Sequence, residues 1–399
     1  MVTAVRWLVV GVLSVHGLVH LLGAAKGFGW AEVDALSEPI GPVGAAGWLL
    51  AALLVLTCAV MIAVGAPRWW WALALVTVLL SQGLIVTSWT DAKAGTAANV
   101  LLVLVAGYGF ASLGPASFTA EWEQRTQAAL MSTALAEGVV TEADLARLPD
   151  PVARYVRRSG AVGQPRVRSF VAEIHGRIRG GPGEPWMTFN GRQLNTYGDI
   201  PQRLFYLDAT MHGLPVTVFH VFDEHGASMR GKVLSLLPIL DAEGPEMDRG
   251  ETVTMLNDLV VFAPGALVDA PVQWTRLGSS RVRATYTRED QSVTAELVFS
   301  PAGDLVDFIS HDRSRASADG ASFTRLRWNT PLTGYGVRGD RRVAVEGVGM
   351  WDAPVPEGHF IYIDFYVDDL AYNVTSPAIP SSHVTGPAGA PSQMTAGHD

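Results

Sequence analysis

Residues 41–67 read GPVGAAGWLLAALLVLTCAVMIAVGAP, a stretch without a single Lys, Arg, Asp or Glu. A helix needs about 20 apolar residues to cross the hydrocarbon of a bilayer, so this stretch is long enough to span. Residues 7–25, 69–90 and 94–120 are uncharged in the same way, whereas the rest of the chain carries ordinary charge. The pattern predicts four transmembrane helices, centred near Leu13, Leu54, Leu80 and Val103, followed by one large water-exposed region. Arg6 ahead of the first apolar run resembles the start of a signal peptide, but three more apolar segments follow it, so a retained first helix is expected.

The totals agree with this division. Of 399 residues, 49% are hydrophobic and only 17% charged, an average set by the first third. A net charge of −9 argues against a nucleic-acid binder. The one cysteine, Cys58, lies in an apolar segment, which excludes an intrachain disulfide and a multi-cysteine zinc site.

Some polar residues fall inside the predicted spans. His16 and His20 are four apart and share a helix face with Gly23. Gln82 lies in the middle of the third, and Asp91, Lys93 and Asn99 surround the start of the fourth. Polar groups in hydrocarbon are expensive and usually face the bundle interior. One reading makes His16 and His20 part of a metal, haem or proton site. The other satisfies both from neighbouring helices, with small residues permitting close packing. Two ligands are too few for a closed metal site, and one helix cannot place two histidines on opposite sides of a haem. No cofactor is expected.

After Pro115 the chain turns amphipathic. Residues 117–136 read as a helix carrying Trp122, Ala129, Met131 and Leu135. Thr141-Glu142-Ala143-Asp144 resembles a helix start, and Asp150-Pro151 begins another that Gly160 would end. From about Val167 the pattern becomes β. Alternation is clearest in Val293-Thr294-Ala295-Glu296-Leu297, which a Ser300–Asp304 turn joins to Leu305–Ile309 as a hairpin, with 281–284 beside it. Further strands are expected at 167–179, 186–194, 203–210, 215–223, 228–234, 323–329, 342–351 and 359–367. So many antiparallel strands suggest a barrel or a strongly curved sheet. Glu251–Phe262 interrupts them with helical spacing at Val253, Leu256, Leu259 and Val260, and a helix inserted there would cover the concave face. The predicted class is an α+β membrane protein. Its parts are a transmembrane module (1–115), a helical connector (116–165), an antiparallel β-rich domain (166–373) and a disordered tail (374–399) rich in Pro, Ser, Gly and Ala.

No nucleophile elbow, zinc-protease, P-loop or dinucleotide motif is present. Arg179-Gly180-Gly181-Pro182-Gly183 lacks a following Lys-Ser/Thr and reads as a hairpin loop. The densest polar cluster runs from Asp241 to Asp258. Asp248 suits a helix cap there, and Glu246 and Glu251 lie near the positive end of that helix. Glu251 and Asp258, seven apart, share one helix face, so a structural role and a pair of carboxylates facing a cavity are both open. Asn257, His220 and Lys232 (the last two on neighbouring predicted strands) and Trp274 complete the ligand-binding candidates. Trp274, Trp328 and Trp351 also suit a core, and Asp312-Arg313 an ion pair at a strand end.

Several segments resemble an uncharacterised family of bacterial membrane proteins. They are Leu214-Pro215-Val216, Lys232 with Leu234-Ser235-Leu236, Gly244-Pro245-Glu246-Met247-Asp248, Glu251-Thr252-Val253-Thr254, Asn257-Asp258, Ala263-Pro264, Gln273-Trp274 and Asp312-Arg313. In the apolar part the likeness rests on His16–Gly23 and Asp91–Thr96, so it covers the chain to about Asn373. The family has no assigned activity and implies no catalytic residues. Val260-Val261 departs from its pattern of bulkier or sulfur-bearing residues. The plan is also similar to lipoprotein-carrier folds, in which a curved antiparallel sheet wraps a helix around an apolar cavity; such a likeness concerns fold alone.

Three functions fit. The favoured one is a tethered binding domain for a lipid or other apolar molecule, since no catalytic set stands out. The others are an enzyme acting on a membrane-derived substrate with Glu251, Asp258, His220 or Lys232 in its site, and a scaffold or sensor that binds a protein. The partners expected are the lipid bilayer and an apolar small molecule, with no nucleic acid. Arg6, Arg68 and Arg125 fall on one side of the bilayer and Lys26 and Lys93 on the other. The excess of positive charge predicts a multi-pass protein of the inner or plasma membrane with its N-terminus and soluble domain in the cytoplasm. An alkaline phosphatase reporter fused after Gly114 is expected to be inactive; efficient activity there reverses the topology.

Overall fold

In the computed structural model, which describes residues 3–134 and 137–376, the uncharged stretches are helices. They are α1 (Thr3–Gly27), α2 (Pro42–Val64), α3 (Trp70–Thr87), the single turn α4 (Trp89–Ala92) and α5 (Gly95–Leu113). Four helices are long and apolar enough to cross a membrane: α1, α2, α3 and the run that starts at Gly95. Glycines let large rings approach the neighbouring backbone. A Cβ on Gly23 would lie 2.7 Å from the Trp48 indole, and one on Gly109 would lie 2.5 Å from that of Trp70. The polar residues of the bundle satisfy one another across helices. His16 Nε2 donates to Asn99 Oδ1 at 3.2 Å, His20 Nε2 bonds Ser81 Oγ at 2.8 Å, and Asn99 Nδ2 donates to Gln82 Oε1 at 3.0 Å.

The connector is α6 (Phe118–Ser132), α7 (Glu142–Leu145) and α8 (Asp150–Arg158). Ser117 caps α6, its hydroxyl accepting from the Ala120 amide at 3.1 Å. Among the described residues α6 ends at Ser132, short of the predicted 136, and Leu135 lies outside those residues. Thr141 and Asp144 form a reciprocal capping box on α7. The cap of α8 is Pro149 rather than Asp150.

The strands are β1 (Ser169–Ile178), β2 (Met187–Thr196), β3 (Gln202–Met211), β4 (Leu214–Asp223), β5 (Gly226–Val233), β6 (Leu237–Glu243), β7 (Val272–Arg276), β8 (Arg281–Arg288), β9 (Gln291–Phe299), β10 (Leu305–Ala316), β11 (Phe323–Asn329), β12 (Leu332–Arg338), β13 (Arg341–Asp352) and β14 (His359–Tyr372). They form one sheet in the order β6-β5-β4-β3-β2-β1-β14-β13-β11-β10-β9-β8-β7, with β12 paired to β13. Every pairing is antiparallel, and β6 and β7 are free ends, so the sheet is open rather than a closed barrel. Helix α9 (Pro245–Phe262) touches β5 and β6 near one end and β8, β9 and β10 near the other. Laid flat at about 4.8 Å per strand, such a sheet would be roughly 60 Å wide, far beyond the reach of one helix about 10 Å across. The sheet is therefore curled into a half-barrel around α9.

Almost all of α9 is buried, which is why its apolar residues do not fall on one stripe. Val253, Met255, Leu256, Val260 and Val261 are fully enclosed and join the main core with both halves of the sheet. The convex face has its own cover: Phe118 and Trp122 of α6 pack on Val171, Leu194, Leu204, Tyr206 and Phe219 of β1–β4. Strand β3 is thus apolar on both faces, Leu204 and Tyr206 outward, Phe205 and Leu207 inward.

The helix begins earlier than its apolar spacing indicates, at Pro245, and Gly244 rather than Asp248 is its N-cap. Gly244 has φ 99°, a conformation glycine adopts freely, and Pro245 suits the first helical position. Asp248 instead accepts from the Ala227 amide at 2.6 Å, tying the helix to the turn between β4 and β5. Strands β6, β7 and β12 have no counterpart in the predicted set; β6 and β7 are exposed edges that lack a clean alternation. The tail beyond 376 lies outside the described residues.

Because Leu256 is fully buried on α9, Leu256→Ala is expected to lower the unfolding free energy by about 2–5 kcal/mol. Exposed Leu236→Ala should change it by less than about 0.5 kcal/mol. Denaturant titration of the purified chain measures both.

Candidate functional site

Between α9 and the concave face lies a cavity of about 350 Å³, within the range of roughly 300–1,000 Å³ typical of small-molecule sites. Its walls are mostly apolar, with Phe189, Phe205, Leu207, Met229, Ile363 and Phe365 from the sheet and Met247 from the helix. Alternation dictates this: one side chain in two on each strand points inward. A few polar groups interrupt the apolar wall.

The deepest of these form a closed ionic cluster around Arg203, at the start of β3. Arg203 Nε donates to Asp258 Oδ2 at 2.6 Å, and Nη1 donates to Glu251 Oε2 at 2.9 Å. Asp258 Oδ2 also accepts from Gln193 Nε2 at 2.7 Å and from Asn195 Nδ2 at 3.2 Å. Arg203, Glu251 and Asp258 are 5%, 2% and 4% exposed. Two helical turns separate the carboxylates, so one guanidinium from the sheet reaches both. His220 Nδ1 lies 3.8 Å from Glu251 Oε1, beyond hydrogen-bond length.

Burial pushes the Glu251 carboxyl up, but Arg203, His220 and Arg313 outweigh it and hold the group at about 2. Asp258 is shifted up: burial acts first, and the Glu251 charge beside it adds to that. One arginine thus keeps Glu251 ionised while its neighbour is harder to ionise. His220 is shifted down by burial, which keeps the ring neutral at pH 7.

The other sequence candidates divide. Asn257 reaches Thr330 Oγ1 at 3.2 Å, at the cavity wall. Glu246 lies at its rim, accepting from Ser314 at 2.5 Å and pairing with Arg325 at 3.2 Å. Lys232 is elsewhere. It pairs with Thr217, an odd number of residues from His220, and so points to the convex face, where its ammonium sits 4.4 Å from the Phe118 ring. Trp274 is half-buried on β7, away from the cavity, while Trp328 and Trp351 are buried and line it. Asp312 and Arg313 do not pair, because neighbours on a strand face opposite ways. Asp312 binds Arg249 at 2.7 Å, and Arg313 turns into the cavity. His16 and His20 belong to the apolar bundle, and among the described residues no three His, Cys, Asp or Glu side chains gather as a metal site would need.

Arg203 and Arg313 are the site residues that sequence reasoning missed. The available signal was an arginine in phase with inward Phe205 and Leu207. It is legible only once the buried acids that need a counter-charge are recognised.

Residues 138–365 match the profile of a family of unknown function, DUF6544. No curated protein sequence matches the chain. Solved structures similar to it include one provisionally described as an outer membrane lipoprotein-sorting protein domain, from Vibrio parahaemolyticus. That match has a TM-score of 0.31 and 11% identity, and covers 51% of this chain and 85% of that one. Another is a DUF1329 family protein from Desulfovibrio piger, with a TM-score of 0.34 and 11% identity, covering 59% of this chain and 95% of that one.

Removing Arg203 leaves two carboxylates buried without a counter-ion, so Arg203→Met is expected to destabilise by about 3–5 kcal/mol. Glu251 is depressed to about 2 from an ordinary 4.5. Its contribution is therefore complete above the unfolded value and lost as pH falls from 4.5 toward 2. Melting curves across that window should be steeply pH-dependent in the parent and flatter in Glu251→Gln.

Proposed function

The chain belongs to the DUF6544 family, whose function is unknown, and we propose that it is a membrane-anchored binder of a lipid or another apolar molecule. The observation that carries this reading is the cavity between the half-barrel and α9, whose sheet side is largely apolar. The apolar side chains of α9 pack on the sheet, yet Phe189, Phe205, Leu207 and Met229 still line open space. Glu251 and Asp258 are held by Arg203, Gln193 and Asn195, which suits a brace between helix and sheet better than a proton-transfer pair.

The anchor supports the same reading. Four apolar helices in the bilayer lead through Ser117 directly into α6, which is docked on the convex face of the sheet. Phe118, at the start of α6, meets Lys232 near the tip of the β5–β6 hairpin. That tip exposes Leu236, Leu237 and Ile239, while Leu240 beside them lines the cavity. An apolar tip close to the membrane exit gives a ligand a short path between bilayer and cavity. The excess of positive charge on the exit side supports a position of the binding domain at the cytoplasmic face of the inner or plasma membrane.

Native mass spectrometry of the full chain, released gently from its membrane, tests the reading. One apolar molecule is expected to travel with the protein. Leu207→Trp, which fills the cavity from β3, should remove that molecule. A parent chain that never carries added mass contradicts the proposal.

A further inference from the structure

Four arginines line the cavity: Arg179, Arg203, Arg313 and Arg315. Arg203 is neutralised by Glu251 and Asp258, and Arg315 by Glu357. Neither of the other two has a carboxylate within ion-pair distance among the described residues, although the charge of Arg313 is felt by Glu251. Arg179 donates only to the carbonyls of Ile361 at 2.9 Å and Pro182 at 2.9 Å, and it stacks on Trp186. Arg313 donates one N–H to Tyr362 Oη at 3.0 Å. Its guanidinium lies over Trp328, 4.4 Å from the ring centroid, and 5.3 Å from that of Trp351.

An arginine among aromatic rings in an apolar pocket is an unusual expense of the fold. Arginine stacked on an indole keeps its N–H edge free, because the ring occupies its face and not its donors. The Tyr362 bond uses one donor of Arg313, and its remaining N–H groups have no acceptor among the described residues. The stack also fixes the direction in which that edge points. Arg179 approaches the same stretch of β14, through the Ile361 carbonyl and its own backbone bond to Tyr362. The Arg313 guanidinium therefore stands on an otherwise apolar stretch of wall with no carboxylate within ion-pair distance among the described residues.

We propose that the ligand is an amphiphile with an anionic head, a carboxylate or a phosphate monoester, bound by the free edge of Arg313 and with its chain against the apolar wall. The proposal rests on the cavity-binding reading above and adds the chemistry of the head. A fork of N–H donors matches two oxygens of either anion in one plane, whereas an alcohol offers one weak acceptor and an amine is repelled.

Photo-crosslinking of the full chain in phosphatidylcholine nanodiscs tests this. Three probes share one diazirine-bearing alkyl chain and end in a carboxylate, a phosphate or a hydroxyl, and labelled peptides are mapped by mass spectrometry. The acid or the phosphate should label peptides of β3, β13 and α9 at least about tenfold more than the alcohol, and the stronger of the two identifies the head. Arg313→Gln should reduce the anionic probe to the alcohol's level and leave alcohol labelling unchanged. Arg313→Lys, which keeps the charge and loses the fork, should retain part of the preference. Equal labelling by all three probes in the parent, or an unchanged preference in Arg313→Gln, overturns the anionic head while leaving the cavity intact. Absence of label on those peptides with every probe overturns both.

Discussion

One guanidinium ties α9 to the concave face of the half-barrel. Arg203 on β3 reaches across the concave face to Glu251 and Asp258, two turns apart on α9. A buried ion pair is a poor source of net stability, because desolvation consumes most of the attraction. It is, however, strict about geometry. Sliding α9 by one turn along the sheet, or rotating it by one residue, would bury two carboxylates without a counter-charge. The apolar residues around the helix impose no such condition, since nearly every face of α9 is buried and one aliphatic contact substitutes for another. The register of the helix is thus set by charge, and the room left over becomes the cavity.

The same division of labour runs outward. The docked neck helix and the half-barrel cover one another. Helix α6 hides the convex face of β1–β4, which frees β3 to be apolar on both sides. Salt bridges from Arg125 to Asp223 at 2.9 Å and from Arg230 to Glu121 at 2.7 Å orient that helix at its solvent margin. These part-buried pairs fix the direction of the helix as well as attract it.

Much of this architecture could be read from the sequence. Uncharged stretches of the right length gave the apolar helices, and alternation gave most strands. The seven-residue step from Glu251 to Asp258 placed both acids on one face of a helix that the structure places inside the sheet. What stayed hidden depends on contacts between distant segments. Arg203 stands 48 positions before Glu251, and no local pattern joins them. Lys232 and His220 lie on adjacent strands, yet only the register, with Lys232 opposite Thr217, reveals that they face opposite ways. Arg313 was obscured by its neighbour Asp312, since adjacency in sequence suggested a pair that alternation on a strand forbids. The cap of α9 was misplaced for a related reason: Asp248 is a good capping residue whose carboxylate is used across the fold, by Ala227.

The most direct test of the central claim is an electron-density map of the full chain purified in mild conditions. Elongated density that belongs to no residue is expected between α9 and the strands bearing Phe205, Met229 and Phe365, with Arg203 still clasping both acids. Contact of those side chains with α9 across the whole interior, leaving no space for a guest, would contradict it.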